Sequence, residues 1–309
     1  MIYSITLNPA IDRSIEIPNF RVGQTFKASS SVVFYAGKGV NVAITLKEIG
    51  QAAEIIAFIG ENQISSYSNA LNQFEKTLIP ISGDTRNNIT IIDPLHHTET
   101  HLREPGFKIN SKNIQQMQTV VARKVRENDW VILTGSLPPG TPMDFYATLI
   151  RQIKQKNAWT VLDSSGDALI HGTEALPEIL KINLDELREL TARPLNSVSE
   201  IILESKRQVK KGCRFVVVTL GKIGAIGVSN DQGWRTELPR DFQSGVNAVG
   251  CGDAFLAGFV AKLRNDNSFK QALVYATACG AVNTLVPGAG RVKLKLVSDM
   301  VSSIKITKI

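Results

Sequence analysis

The pattern that most restricts this chain is an alternation. Short apolar runs such as "IYSITL", "EIIAFIG", "DWVILTG", "WTVLDSSG" and "RFVVVTLG" recur along it, and segments with helical spacing such as "VNVAITLKEIG" lie between them. Strands alternating with helices of about ten or more residues imply βαβ units and a covered sheet. The expectation is an α/β fold whose central, mostly parallel sheet is flanked by helices. "VNVAITLKEIG" reads as a helix closing at Gly50, and "ILKINLDELREL" as a strand running into a helix. "SLPPG" reads as a turn before a helix from about Pro142, and "AIGVS" as a second strand after the glycine turn that follows "RFVVVTLG".

Two segments break the rhythm. Residues 12–36 alternate apolar and polar positions without a helix, and residues 85–103 read as two short strands around a turn at Asp93-Pro94. Both suggest antiparallel strands outside the main sheet. The expected organisation is one domain over residues 1–309 with a small antiparallel β lid formed by about 12–36 and 85–105.

Charge and cysteine content narrow the function classes. Lys and Arg number 35 against 28 acidic residues, a formal +7. The basic residues are scattered, and the densest cluster, "VKKGCR", reads as a solvated helix end. A small anionic ligand fits this charge, and no nucleic-acid partner is expected. Cys213, Cys251 and Cys279 are far apart, with neither a disulfide framework nor a zinc spacing. That usage suits a reducing cytoplasm. "MIYSITLNPAID" lacks the layout of a signal peptide, and no apolar run reaches the about 18 residues of a membrane span, so no membrane partner is expected.

The glycine turns carry the chemistry. Lys38 is followed by Gly39 and Lys222 by Ile223, so neither completes a Walker A loop; Phe255 stands where a dinucleotide fingerprint beginning at Gly250 and Gly252 needs glycine. Four turns remain, each open to two readings. "AGKGVNVA" (36–43) suits a phosphate or polyhydroxy ligand at a helix N-terminus, or is an ordinary βα turn with a solvated lysine. In "GVNAVGCGDAFLAGF" (245–259), Asp253 is either a helix cap or a buried base beside an anion-binding turn. In "KINLDEL" (181–187), Asn183 and Glu186 form a capping box or organise water around Mg²⁺. "TLGKIGAIG" (219–227) is a nucleotide platform or a plain hairpin. "HHTETH" (96–101) reads as a polar lid strand.

These pieces occur in one order, and over essentially its whole length the chain resembles the PfkB (ribokinase-like) carbohydrate kinases. Within them it is similar to the branch of 1-phosphofructokinase and tagatose-6-phosphate kinase. The resemblance rests on "TLNPAID" (6–12), "AGKGVNVA", "DTRNNITI" (84–91), "GSLPPG", "LDSSGDAL", "KINLDEL" and "VNAVGCGDAFLAGF". It implies ATP-dependent phosphorylation of a ketose phosphate, with Mg²⁺ as cofactor and Asp253 as the base. Gly250, Cys251 and Gly252 would form the anion hole. Asp12 would bind sugar hydroxyls, and Gly37, Lys38 and Asn41 the sugar phosphate. Arg86 would clamp the phosphate already on the substrate, with Lys27 as a helper. Asn183 and Glu186 would organise the metal, while Lys181, Asn183, Thr219, Gly221, Gly224 and Gly252 would line the nucleotide site. The sequence departs from the family pattern at Ala36, Ile182 and Cys251, where glycine, proline and alanine or serine are usual. Two alternatives are a kinase for an unphosphorylated sugar or nucleoside and a catalytically silent sugar-phosphate sensor. The exposed edges of the lid strands suit a homodimer.

Overall fold

The computed structural model describes residues 1–309 except 244, 246–248 and 267. The strands are β1 (Ile2–Thr6), β2 (Ala10–Glu16), β3 (Ser30–Ala36), β4 (Glu54–Gly60), β5 (Glu75–Ile81), β6 (Asn87–Asp93), β7 (Thr98–Arg103), β8 (Trp130–Thr134), β9 (Trp159–Asp163), β10 (Ile179–Asn183), β11 (Phe215–Thr219), β12 (Gly224–Val228), β13 (Gly233–Glu237) and β14 (Lys305–Lys308). The helices are α1 (Lys38–Glu48), α2 (Ile64–Ala70), α3 (Ser111–Lys124), α4 (Phe145–Lys154), α5 (Gly166–Glu174), α6 (Leu184–Thr191), α7 (Val198–Lys211), α8 (Cys251–Asp266), α9 (Phe269–Asn283) and α10 (Leu294–Ser303).

Among the described residues the main sheet runs β14-β13-β12-β11-β10-β9-β8-β1-β4-β5. It is parallel from β11 to β5 and antiparallel from β11 to β14. Side chains of successive strand residues point to opposite faces. Val216 and Val218 of β11 therefore join the core under α3–α7, while Val217 joins the core under α1, α8, α9 and α10. Helix α8 is buried along most of its length, as a helix apolar on nearly every face must be. Helix α4 begins at Phe145, three residues after the Pro142 expected from sequence. The basic pair Lys210-Lys211 lies exposed in the last turn of α7, at a solvated helix end.

The chain leaves β1 for β4 and β5 on one side and returns to β8 on the other. Strand order therefore reverses between β1 and β8, and the carboxyl ends there form the crevice where open α/β sheets bind ligands.

A second sheet runs β3-β2-β6-β7. It is antiparallel within each hairpin; where the hairpins meet, β2 and β6 pair in parallel with Asp12 opposite Asn88. The parallel join arises because each hairpin is a separate excursion from the body and sends its first strand outward. At its root, the Tyr67 hydroxyl of α2 lies 2.7 Å from the Ala10 carbonyl oxygen and 3.0 Å from that of Ala36. No helix among the described residues is long and apolar enough to cross a membrane.

Candidate active site

The "AGKG" turn sits at the crevice where strand order reverses. Gly37, at φ 141°, precedes the first residue of α1 and offers no capping side chain. The amides of that first turn stay open to a ligand. Lys38 extends from this turn to the end of β9, where its amine lies 3.2 Å from Asp163 Oδ1.

Asp163 is the centre of the arrangement. It ends β9 with its side chain fully buried. The amine of Lys181, itself 5% exposed, donates to the same Oδ1 at 3.2 Å. Thr134 at the end of β8 donates to Oδ2 at 3.4 Å. Burial opposes ionisation of this carboxyl, but Lys181 and Lys38 outweigh it and hold it below the usual carboxylate range. Burial likewise works against the Lys38 charge, yet Asp163, Asp253 and Glu186 keep its pKa above the ordinary value.

Asp253 lies in the first turn of α8, buried, and takes the Asn41 side-chain amide on Oδ2 at 2.8 Å. That contact ties Asp253, the third residue of α8, to α1 through Asn41. Asn41 also lines the adjoining cavity. Burial pushes the Asp253 carboxyl up to about 6, with Asp163 adding to the rise and Lys38, Asn41 and Lys181 opposing it. Two buried acids in one site are thus pushed apart, one kept ionised by two ammonium groups and the other near neutrality. Such a division leaves Asp253 the one of the two able to take up a proton near neutral pH.

Gly250 and Gly252 shape the turn before Asp253. Gly250 has φ 84°, and a Cβ there would stand 2.4 Å from the Gly290 nitrogen, so only glycine fits. A Cβ on Gly252 would stand 2.9 Å from the Lys181 amine, which places that amine against the first turn of α8. Burial raises the Cys251 thiol to about 11, so it stays protonated at neutral pH. Val246, Asn247 and Ala248 of the same motif lie outside the described residues.

Asp12 lies opposite on β2. It accepts from Asn88 Nδ2 at 2.7 Å, and burial raises its pKa against Asn88, Arg103 and Arg86. Asp12, Asn88 and Arg103 line a cavity of about 680 Å³ together with Asn41, Val249 and Arg291. Arg86 stands beside it, donating from Nη2 to the Asn8 carbonyl at 3.0 Å and from Nε to the Pro9 carbonyl at 3.3 Å. Lys27 is exposed on the β2–β3 connection and is not among the residues lining this cavity.

At the other end stand Asn183, Glu186, Thr219, Gly221 and Gly224. The capping box is formed: Glu186 N–H donates to Asn183 Oδ1 at 2.8 Å, and Asn183 N–H donates to Glu186 Oε2 at 2.7 Å. Burial raises the Glu186 carboxyl. Thr219 ends β11 beside Asn183 of β10, and Gly221 is exposed with open space around it. At Gly224 a Cβ would meet the Thr236 carbonyl at 2.1 Å, so the approach of strand β13 by itself requires glycine there. Residues 215–228 do form a hairpin, β11 with β12. His96 lies 2.7 Å from Asp93 and His101 3.1 Å from Thr90, and no group of three metal-ligating side chains occurs among the described residues.

Sequence reading missed Asp163, Asn88 and Arg103. Asp163 had a signal: it is the one charge in "WTVLD", placed at the carboxyl end of a buried strand. Asn88 and Arg103 gave none, because their roles depend on the β2–β6–β7 register.

The model of the pfkB family of carbohydrate kinases matches residues 1–295. A 1-phosphofructokinase of Bacillus subtilis is 29% identical over 316 residues, covering all of both chains. A tagatose-6-phosphate kinase of Staphylococcus epidermidis is 27% identical over 319 residues, again covering all of both chains. The crystal structure of Escherichia coli phosphofructokinase-2 in complex with potassium superposes with a TM-score of 0.92 at 24% identity, covering 97% of this chain and 98% of that one.

Proposed function

The chain belongs to the pfkB family of carbohydrate kinases, which transfer a phosphoryl group to an alcohol, and from that premise we propose that it phosphorylates a ketose phosphate to a ketose bisphosphate with ATP. Tagatose 6-phosphate and fructose 1-phosphate are the two candidate substrates. The observation that carries the anionic substrate is Arg103, which lines the cavity with Asp12 and Asn88, paired with Arg86, which does not line the cavity but is near enough for its charge to act on both Asp12 and Arg103. A neutral sugar or nucleoside needs no such pair. Guanidinium forks suit a phosphate geometrically.

In this reading Asp12 and Asn88 orient sugar hydroxyls, and the acceptor hydroxyl faces the free Oδ1 of Asp253. Asp253 takes its proton as the oxygen attacks. The amides at the start of α8 stabilise charge on the transferring phosphoryl, which passes by positioning and electrostatics. A divalent cation fits the donor set only through water and nucleotide phosphates: Glu186 Oε2 is taken by the capping box, and its Oε1 has no partner among the described residues. Mg²⁺ held there by Asn183 and Glu186 would neutralise charge on the ATP phosphates. Thr219, Gly221 and Lys181 border the nucleotide. The small sheet, residues 12–36 and 85–105, acts as a lid on one kinase domain of residues 1–309 that works in the cytoplasm. Its edge strands expose Val32, Val33, Phe34 and Leu102, which suits a homodimer through the lid.

The test is kcat/KM with ATP for fructose 1-phosphate, tagatose 6-phosphate and fructose 6-phosphate beside neutral sugars and nucleosides. Turnover of one ketose phosphate by at least tenfold over every neutral compound is expected. Preference for a neutral compound overturns the substrate class, and no turnover anywhere favours the silent sensor.

A further inference from the structure

We infer that Asp163 is a positioning residue that holds Lys38 and Lys181 as a pair of ammonium groups on the phosphoryl group in transit. The inference rests on the kinase reading above. It moves Lys38 from the phosphate already on the sugar to the phosphate being transferred.

The geometry is specific. One buried oxygen, Asp163 Oδ1, accepts from both amines at 3.2 Å. Two like charges brought to one atom repel each other, and one carboxylate cannot neutralise both. Each is also placed against a positive helix end. Lys38 starts on the first residue of α1, which has no acidic residue in its first turn. The Lys181 amine lies against the first turn of α8, close to where a Cβ of Gly252 would be. A helix N-terminus carries roughly half a positive charge and repels a cation. Two ammonium groups held there, one of them nearly fully buried, need an anion between them and the amides. A phosphoryl group bound at the start of α8 would meet the Lys181 amine that lies against that turn, and with it Lys38, held on the same Asp163 oxygen, while the hydroxyl facing Asp253 approaches from the cavity side. Without Asp163 the two side chains would separate.

The groups facing Asp253 are Lys38 and Asn41 from α1, Asp163 from β9 and Lys181 from β10, with Cys251 on its own helix. Removing the Asp163 charge therefore also moves the titration of Asp253 downward.

The experiment compares parent, Asp163→Asn and Lys38→Met for kcat, both KM values and the pH profile of kcat. Asp163→Asn should lower kcat by about 100-fold or more, the size of losing a transition-state donor. Its KM for the ketose phosphate should stay within about threefold, and its acid limb should shift to lower pH. Lys38→Met, at a half-exposed side chain, should lower kcat similarly with an unchanged KM for the ketose phosphate. If Asp163→Asn does not fold, the double variant Asp163→Asn/Lys181→Met restores the charge balance and should fold while remaining as slow. A kcat near the parent's in Asp163→Asn or in the double variant overturns the inference. A raised KM with normal kcat in Lys38→Met returns Lys38 to the sugar-phosphate clamp and overturns it too. An inactive parent would instead strike the kinase reading.

Discussion

Asn41 and Asp253 are 212 positions apart in the chain, and the Asn41 amide donates to the Asp253 carboxylate at 2.8 Å. The bond fixes Oδ2 and leaves Oδ1 as the oxygen that would accept a proton if Asp253 is the base proposed above. Asp253→Asn should therefore lower kcat by about 10²–10⁴-fold, the range for losing a general base. KM for ATP should change little. Near-normal turnover in this variant removes Asp253 as the base.

The same buried acid sets a pH dependence. With its pKa pushed up to about 6, Asp253 is a base only above that pH, so kcat should fall tenfold per unit below it. Stability runs the other way. A carboxyl raised in the fold favours the native state most below its unfolded pKa, near 4, and that contribution is lost as pH rises through about 6. Ionising it costs on the order of 3 kcal/mol. Asp253→Asn should accordingly raise Tm at pH 8 more than at pH 4. An equal Tm change at both pH values would contradict the buried, raised carboxyl.

Arg86 and Arg103 separate by their other contacts. Arg103 is exposed, and among the described residues its guanidinium makes no hydrogen bond or ion pair. Arg103→Ala should raise KM for the ketose phosphate about tenfold with little change in Tm. Arg86→Ala should raise KM as well and also lower stability by about 1–3 kcal/mol, because the Asn8 and Pro9 carbonyls lose their donor. Unchanged KM in both variants would take the phosphate clamp elsewhere.

Gly224 offers a contrast. A Cβ there meets the Thr236 carbonyl at 2.1 Å and the backbone has φ 126°, so Gly224→Ala should cost about 1–3 kcal/mol of folding stability. KM for ATP in the folded fraction should not move. A weaker ATP affinity at full stability would put Gly224 back in the nucleotide site.

Much of the architecture was legible because buried parallel strands announce themselves. "IYSITL", "EIIAFIG" and "RFVVVTLG" are each mostly apolar and became β1, β4 and β11. Strand β14 was not legible: "KITK" is short and polar, and only pairing with β13 makes it a strand. The lid hairpins were readable from alternation, but the parallel Asp12–Asn88 register that joins them is a tertiary choice. In the site, glycine and acid positions stood out by motif. The partnerships did not: Asn41 with Asp253, and Asp163 with Lys38 and Lys181, join residues from helices and strands far apart in the chain.

Tyr67 gives the small sheet a mechanical character. Its hydroxyl reaches the carbonyls of both Ala10 and Ala36, the two points where the β2–β3 hairpin leaves the body. That anchor is a fulcrum. Above it the hairpin is a lever arm carrying Asp12; immediately below it the chain enters the turn bearing Gly37 and Lys38. Asp12, two residues past Ala10, and the Gly37-Lys38 turn, directly after Ala36, are thereby tied to one another through a single tyrosine that does not line the cavity.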